Sequence, residues 1–239
     1  MKNVLMAILL GGSVATSVTA AEVKVLSGGA VEPGLHAFAA QVKRDLGHDL
    51  KIQFNTTPQI VKRLAAGDVY DIVIVTPAVI EQAIKDGKLA ADGRAPVGRV
   101  GAGIIVRTGA AAPNVATVDA MKQALLGADS VVYNSASSGL YLDKLFGNMG
   151  ILEQLKPKTT RYPDGASVME HVIKGTGNEI GFGAITEIKL YEGKGLRYVG
   201  PLPAEIQNYT SYDAAMMTGG TAATEDLARE VLKHMATPA

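Results

Sequence analysis

The chain has 239 residues, with 23 Lys+Arg balanced by 23 Asp+Glu, 4 His and no Cys. That length suits one large domain or two modest lobes, and the zero formal net charge argues against a nucleic-acid footprint or a polybasic membrane patch. Without Cys there is no disulfide, thiolate nucleophile or Cys-held metal, and 47% apolar with only 5% aromatic residues describes an α/β protein packed with small aliphatics.

In chain order, Met1-Lys2-Asn3 is a basic start, residues 4–10 are apolar, and small residues lead to Ala20-Ala21. This is the order of a secretory signal peptide over residues 1–20, too short and too interrupted by Gly11, Gly12 and Ser13 to span a bilayer. The mature protein is therefore expected in a periplasm.

Strand and helix signals then alternate. The apolar run at 23–26 stops at Ser27-Gly28-Gly29, a strand ended by a turn. Leu35, Phe38, Ala39, Val42 and Leu46 recur at helical spacing, and Gly47 closes the helix. Residues 50–54 read as a second strand, and Pro58 suits the first turn of a helix through Leu64. Residues 71–75 form a continuous apolar strand of the kind buried on both faces, and Thr76-Pro77 opens a helix to Lys85. This βαβαβα order predicts a parallel, right-handed lobe.

Residues 100–106 are expected to run as one strand from the first lobe into a second. There the pattern predicts helix 118–126, strand 130–133, loop 134–138, helix 139–149 and strand 159–162. Loop 163–166, helix 167–174 and strands 179–182 and 196–199 follow. Residues 200–203 read as a linker, after which 210–217 and a helix at 224–235 return to the first lobe. The expected division is thus signal peptide 1–20, first lobe 21–104, second lobe 105–200 and return 201–239. Two α/β lobes joined by two crossings make a hinged clamshell, with hinge glycines at 101–103 and 200 and a ligand in the cleft.

Four loops share one construction, in which a strand ends and a helix begins: Ser27-Gly28-Gly29-Ala30, Asn55-Thr56-Thr57, Ser135-Ala136-Ser137-Ser138-Gly139 and Asp164-Gly165-Ala166-Ser167. A helix start offers unpaired N–H groups and a positive dipole end, and so holds an anion without Lys or Arg. Each loop taken alone reads more readily as a set of N-caps than as a binding loop. The four together, with Ser137-Ser138-Gly139 the least needed for capping, point to an anion site.

Catalytic motifs are mostly missing: there is no G-x-S-x-G elbow, Walker A sequence, H-E-x-x-H helix or EF-hand loop. His36 and His171 fall inside helices, and Glu32 suits the start of its helix. Arg161 is placed for a ligand carboxylate or for a salt bridge, and Tyr141 to reach the cleft or to pack.

Residues 23–29 (VKVLSGG), 54–71 (FNTTPQIVKRLAAGDVYD), 132–142 (VYNSASSGLYL), 179–187 (EIGFGAITE) and 199–205 (VGPLPAE) occur in an order and spacing that resemble the bacterial extracellular solute-binding proteins of ABC transporters. The resemblance is to their molybdate-binding-like branch. It implies a two-lobed, type II periplasmic-binding-protein clamshell, with contacts near Ala30, Thr57, Ser138, Gly165 and Ala184. It also implies a small anionic ligand, an inner-membrane ABC permease as partner, a monomer, and no cofactor, metal or nucleic acid.

The first-loop serine of the molybdate binders appears here as Ala30, and their late-chain tyrosine as Ala184. Losing two hydroxyl donors weakens a site built around a tetrahedral oxyanion and enlarges the pocket, which favours a di- or tricarboxylate. The ligand-binding set implied in full is Ser27, Gly28, Gly29, Ala30, Thr56, Thr57, Ser137, Ser138, Gly139, Gly165, Ala166 and Ala184. The Ser-Gly-Leu-Tyr of residues 138–141 also resembles aconitate isomerase, a periplasmic enzyme of this fold. That implies the alternative of an allylic proton shift on a tricarboxylate, with Glu32, His36 or Tyr141 as the base. Family members usually continue past a Thr-Pro-Ala-like segment into a final helix, so a shortened end or a missing final helix is expected at Thr237-Pro238-Ala239.

Overall fold

The computed structural model describes residues 21–237. The expected signal peptide and the final two residues lie outside them.

The first lobe begins as β1 (Glu22–Gly28), α1 (Glu32–Leu46), β2 (Asp49–Asn55), α2 (Thr57–Ala66), β3 (Ile72–Val75) and α3 (Pro77–Lys85). Sequence punctuation sets these bounds. Gly47 and Gly67 close α1 and α2 at φ values of 77° and 84°, backbone that favours glycine. Pro58 and Pro77 sit in the first turns of α2 and α3, where the missing N–H has no helical partner to lose.

β2, β1 and β3 pair in parallel, and all four residues of β3 are fully buried. The pleat sends Ile72 and Ile74 to one apolar cluster and Val73 and Val75 to another. The first cluster gathers α1 and α9 (Ala222–Met235), and the second gathers α2 and α3.

β4 (Leu89–Arg107) joins the lobes. Through Gly101 it pairs antiparallel with β9 (Tyr209–Met217), which itself pairs antiparallel with β3. From Ala102 it pairs with β7 (Glu179–Ala184) and β8 (Leu196–Pro201). The strand starts eleven residues earlier than the apolar run at 100–106 suggests. Its first half carries register shifts between Leu89 and Arg94 and between Pro96 and Gly98, which break the alternation that marks a strand. The antiparallel β9 and β4 also turn the expected all-parallel lobe into a mixed sheet.

The second lobe continues with α4 (Val118–Gly127), β5 (Ser130–Asn134), α5 (Ser137–Asn148), the single turn α6 (Leu152–Leu155), β6 (Thr159–Tyr162), α7 (Gly165–Lys174), β7 and α8 (Ile185–Tyr191). β6, β5 and β7 are parallel, and the whole sheet runs β2-β1-β3-β9-β4-β7-β5-β6, with β8 on β4. Its core repeats the first lobe's plan. Ile104, Val131, Tyr133 and Phe182 pack one face, and Ile105 and Val132 pack the other with α7 and α8.

α8 was not expected. It follows β7 directly, its N-cap is Ala184 with no side-chain cap, and its ITEIKLY sequence is partly β-branched, which leaves Glu187 in its first turn and Gly193 beyond its end as weak local signals.

The two chain crossings are laced together. The Gln207 side chain accepts from Ala102 N–H at 3.1 Å and donates to Ala102 C=O at 3.0 Å, while Asn208 C=O also accepts from Ala102 N–H. The expected hinge glycine Gly103 has a packing role, since a Cβ there would lie 2.9 Å from both Ile188 and Tyr198.

Candidate functional site

Strand-to-helix turns from both lobes line one cavity of about 330 Å³. That is the size range of pockets that hold small organic ligands, roughly 300–1,000 Å³. The first lobe contributes Gly28, Gly29, Ala30, Thr56 and Thr57; the second contributes Ser137, Ser138, Gly165, Ala166 and Ala184.

Two of the expected residues are not on this wall. Ser27 is fully buried, and its hydroxyl donates to Gly28 C=O at 3.1 Å. Gly139 faces the strand behind it, where a Cβ would sit 1.6 Å from Asn134 C=O. Its lack of a side chain lets α5 pack close to β5, a requirement of packing and not of ligand contact.

The helix starts differ in how their side chains are used. Asp164 caps α7 by accepting from Ser167 N–H at 2.8 Å, and the Gln59 side chain accepts from Thr56 N–H at 2.8 Å at the start of α2. α5 has Ala136 at its N-cap and no side-chain cap, so Ser137 and Ser138 stand in the first turn with hydroxyls free for other work. Ser138 donates to Asn134 Oδ1 at 3.2 Å, and the Ser137 hydroxyl reaches across the cleft to Thr57 Oγ1 at 3.2 Å. Asn134, 5% exposed and on the cavity wall, also accepts from Ala136 N–H, which fixes the turn between β5 and α5.

Among the described residues no Lys, Arg or His lines the cavity; the ionisable carboxyls there are Glu32, Asp164 and Glu187. They do not make a cation cluster, because among the described residues no group of three acidic or imidazole side chains is placed to hold a metal ion.

Glu187, in the first turn of α8, is the residue the sequence reading missed. Its carboxyl lies against both lobes: a Cβ on Gly29 would come within 3.0 Å of Oε1, and one on Gly165 within 2.4 Å of Oε2. Burial, followed by the negative charges of Glu32 and Asp164, pushes it up to about 7. Burial, and then the charge of Glu187, also raises the Tyr212 phenol above its ordinary value. Beside Glu187, the Thr186 hydroxyl donates to Ala30 C=O and ties α8 to the first loop. A signal for Glu187 did exist, as the last residue of the 179–187 motif, but without α8 it had no helix to sit on.

The other expected candidates fall elsewhere. Glu32 lines the cavity and lies 3.3 Å from the exposed His36, whose ring stands edge-on to Phe54. His171 meets the Tyr162 hydroxyl at 2.9 Å. Arg161 is engaged by Asp143 at 2.5 Å and Asn134 C=O at 3.1 Å over the Tyr133 ring, which is the salt-bridge alternative. Tyr141 donates to Ile206 C=O at 2.6 Å, which is the packing alternative.

Residues 23–239 match the family model described as bacterial extracellular solute-binding protein. An aconitate isomerase of Pseudomonas sp is 29% identical over 218 residues, covering 89% of this chain and 81% of that protein. Among solved structures, the Azotobacter vinelandii periplasmic molybdate-binding protein superposes with a TM-score of 0.73 at 15% identity, over 90% of this chain and 93% of that one. The tungstate ABC transporter structure from Geobacter sulfurreducens gives 0.69 at 14% identity, over 91% and 94%. At such identities the structural likeness establishes the two-lobed fold and leaves the ligand to the site.

Proposed function

The chain belongs to the bacterial extracellular solute-binding protein family, and from that premise we propose that its cleft captures a small organic polycarboxylate and delivers it to an ABC permease. The observation that carries this reading is the wall itself: strand-to-helix turns from both lobes, with hydroxyls and no cationic side chain, around about 330 Å³. Backbone N–H groups at helix starts hold carboxylate oxygens as well as they hold an oxyanion. Ala30 and Ala184 leave room where larger side chains would close round a tetrahedral ion. Capture works by closure, because a ligand that touches both lobes binds the closed arrangement better than the open one and shifts the equilibrium by that difference. The contact between Ser137 and Thr57 belongs to the closed side.

The test is a dye-based thermal shift panel on chain 21–239 with molybdate, tungstate, sulfate, phosphate, citrate, tricarballylate and both aconitate isomers. A ligand at a hundred times its dissociation constant adds about 2.7 kcal/mol, a clear shift in melting. Tricarboxylates are expected to shift the melt and molybdate not to; the reverse pattern contradicts the reading.

A second reading, isomerisation of a tricarboxylate, is favoured by one observation: the cleft holds an acid, Glu187, poised near neutrality. In such a reaction a base takes the proton from the carbon next to the double bond, the electron pair shifts along the allyl unit, and the proton returns at the far carbon. The identity to an aconitate isomerase supports the same reading. Proton NMR of cis-aconitate with the protein distinguishes it from capture alone, since only turnover produces the trans signal.

A further inference from the structure

We propose that Glu187 is the proton-holding group of the cleft: it takes a proton from water in a hollow behind the site and presents it as a hydrogen bond to the captured anion, so that anion capture and proton uptake are one event. The proposal rests on anion capture as the function of the cleft. Its geometry has three parts. First, the carboxyl is packed against Gly29 of one lobe and Gly165 of the other, on the wall of the ligand cavity where the two lobes meet. Second, no hydrogen bond or ion pair to Glu187 exists among the described residues, so its proton is committed to no protein acceptor and is free to be offered to a ligand. Third, Glu187, Glu32 and Ala166 are shared between the cleft and a second hollow of about 330 Å³, whose other walls are Leu190, Tyr191 and Lys194. The closed lobes therefore leave the carboxyl accessible from behind.

The charges around it favour the neutral form. Glu32 faces it from α1, Asp164 from the start of α7, the Tyr212 phenol from β9 and the Tyr191 phenol from its own helix. Lys194 is the cation of the second hollow, and its ammonium lies 5.8 Å over the Tyr191 ring. An anion brought beside an ionised Glu187 would be repelled, whereas beside a protonated one it gains a donor. Capture should therefore draw a proton onto this carboxyl in the pH range just above about 7, between its ligand-free and ligand-bound values.

The experiment has three readings. Isothermal titration of chain 21–239 with tricarballylate at pH 8, in two buffers of different ionisation heat, should give uptake of about one proton per site. Between pH 6 and 8.5 the affinity should weaken about twentyfold in the natural chain and less than threefold in Glu187→Gln, whose amide donates at every pH; ionisation of the ligand is common to both and cancels. In the ligand-free protein labelled with ¹³C-glutamate, the carboxyl resonance missing from Glu187→Gln should titrate near 7. Equal pH profiles in the two chains, zero proton uptake, or a ligand-free midpoint in the ordinary carboxylate range each overturn the proposal while leaving anion capture in place. If none of the panel anions binds either chain at any pH, anion capture fails and the linkage fails with it.

Discussion

The lobes meet across the cleft in two chemically opposite ways. At one contact two neutral hydroxyls, Thr57 and Ser137, face each other at 3.2 Å. At the other, an acid from α8 lies between two glycines, with two further carboxyls nearby. The hydroxyl contact can exchange its mutual bond for bonds to a ligand with little change in charge. The carboxyl contact changes its charge with pH and so adds a dependence that the hydroxyls lack. A cleft needs donors on all sides to hold an anion, and here one side supplies them permanently while the other supplies one only when protonated.

The largest break in this comparison comes from the glycines that allow each contact to form. Gly139→Ala forces a Cβ onto a backbone carbonyl that cannot move aside, and it should destabilise the chain by about 3 kcal/mol in urea unfolding. Gly165→Ala meets only the tip of the Glu187 side chain, so its stability cost should be under about 1 kcal/mol, with the loss appearing in ligand affinity instead.

Next comes Glu187 itself. Its folded value near 7 lies above the ordinary 4.5, so its contribution to stability is full below about 4.5 and is lost as pH rises through 7. Glu187→Gln removes that loss. It should be more stable than the natural chain by roughly 2 kcal/mol at pH 8 and nearly equal to it at pH 4, as read from urea midpoints at the two pH values.

Smaller again is Thr57→Val, which removes one neutral hydroxyl bond across the cleft. It should weaken ligand binding about fivefold, near 1 kcal/mol, with the same loss at pH 6 and pH 8.5. The smallest effect belongs to Arg161→Lys. Because Arg161 is held by Asp143 and stacked on Tyr133, this change should lower the melting temperature by a few degrees and leave affinity within twofold.

The same contrast explains what could be read from the residues alone. Elements bounded by Pro58, Pro77, Gly47 and Gly67 were legible because those residues fix backbone angles locally. The first half of β4 was not, because its register shifts destroy the alternation. Loops holding Thr56, Thr57, Ser137, Ser138 and Gly165 announced themselves as strand-to-helix turns, and all five residues stand on the cavity wall. Ser27 and Gly139 carry the same local signal, yet a hydroxyl turned to its own backbone and a glycine pressed on a carbonyl are facts of tertiary packing. Glu187 was hidden for the opposite reason. No capping side chain or Pro marks the start of α8, and the charges that act on Glu187 come from Glu32 and Asp164, respectively 155 and 23 positions away in the chain.

The central claim, that the cleft holds a small organic polycarboxylate, is most directly tested by isothermal titration of chain 21–239 at pH 6 with tricarballylate and with molybdate. Saturable one-to-one binding of tricarballylate, with no heat from molybdate, is the predicted result. Tight binding of molybdate with none of tricarballylate would contradict the claim and make the cavity an oxyanion site despite Ala30 and Ala184.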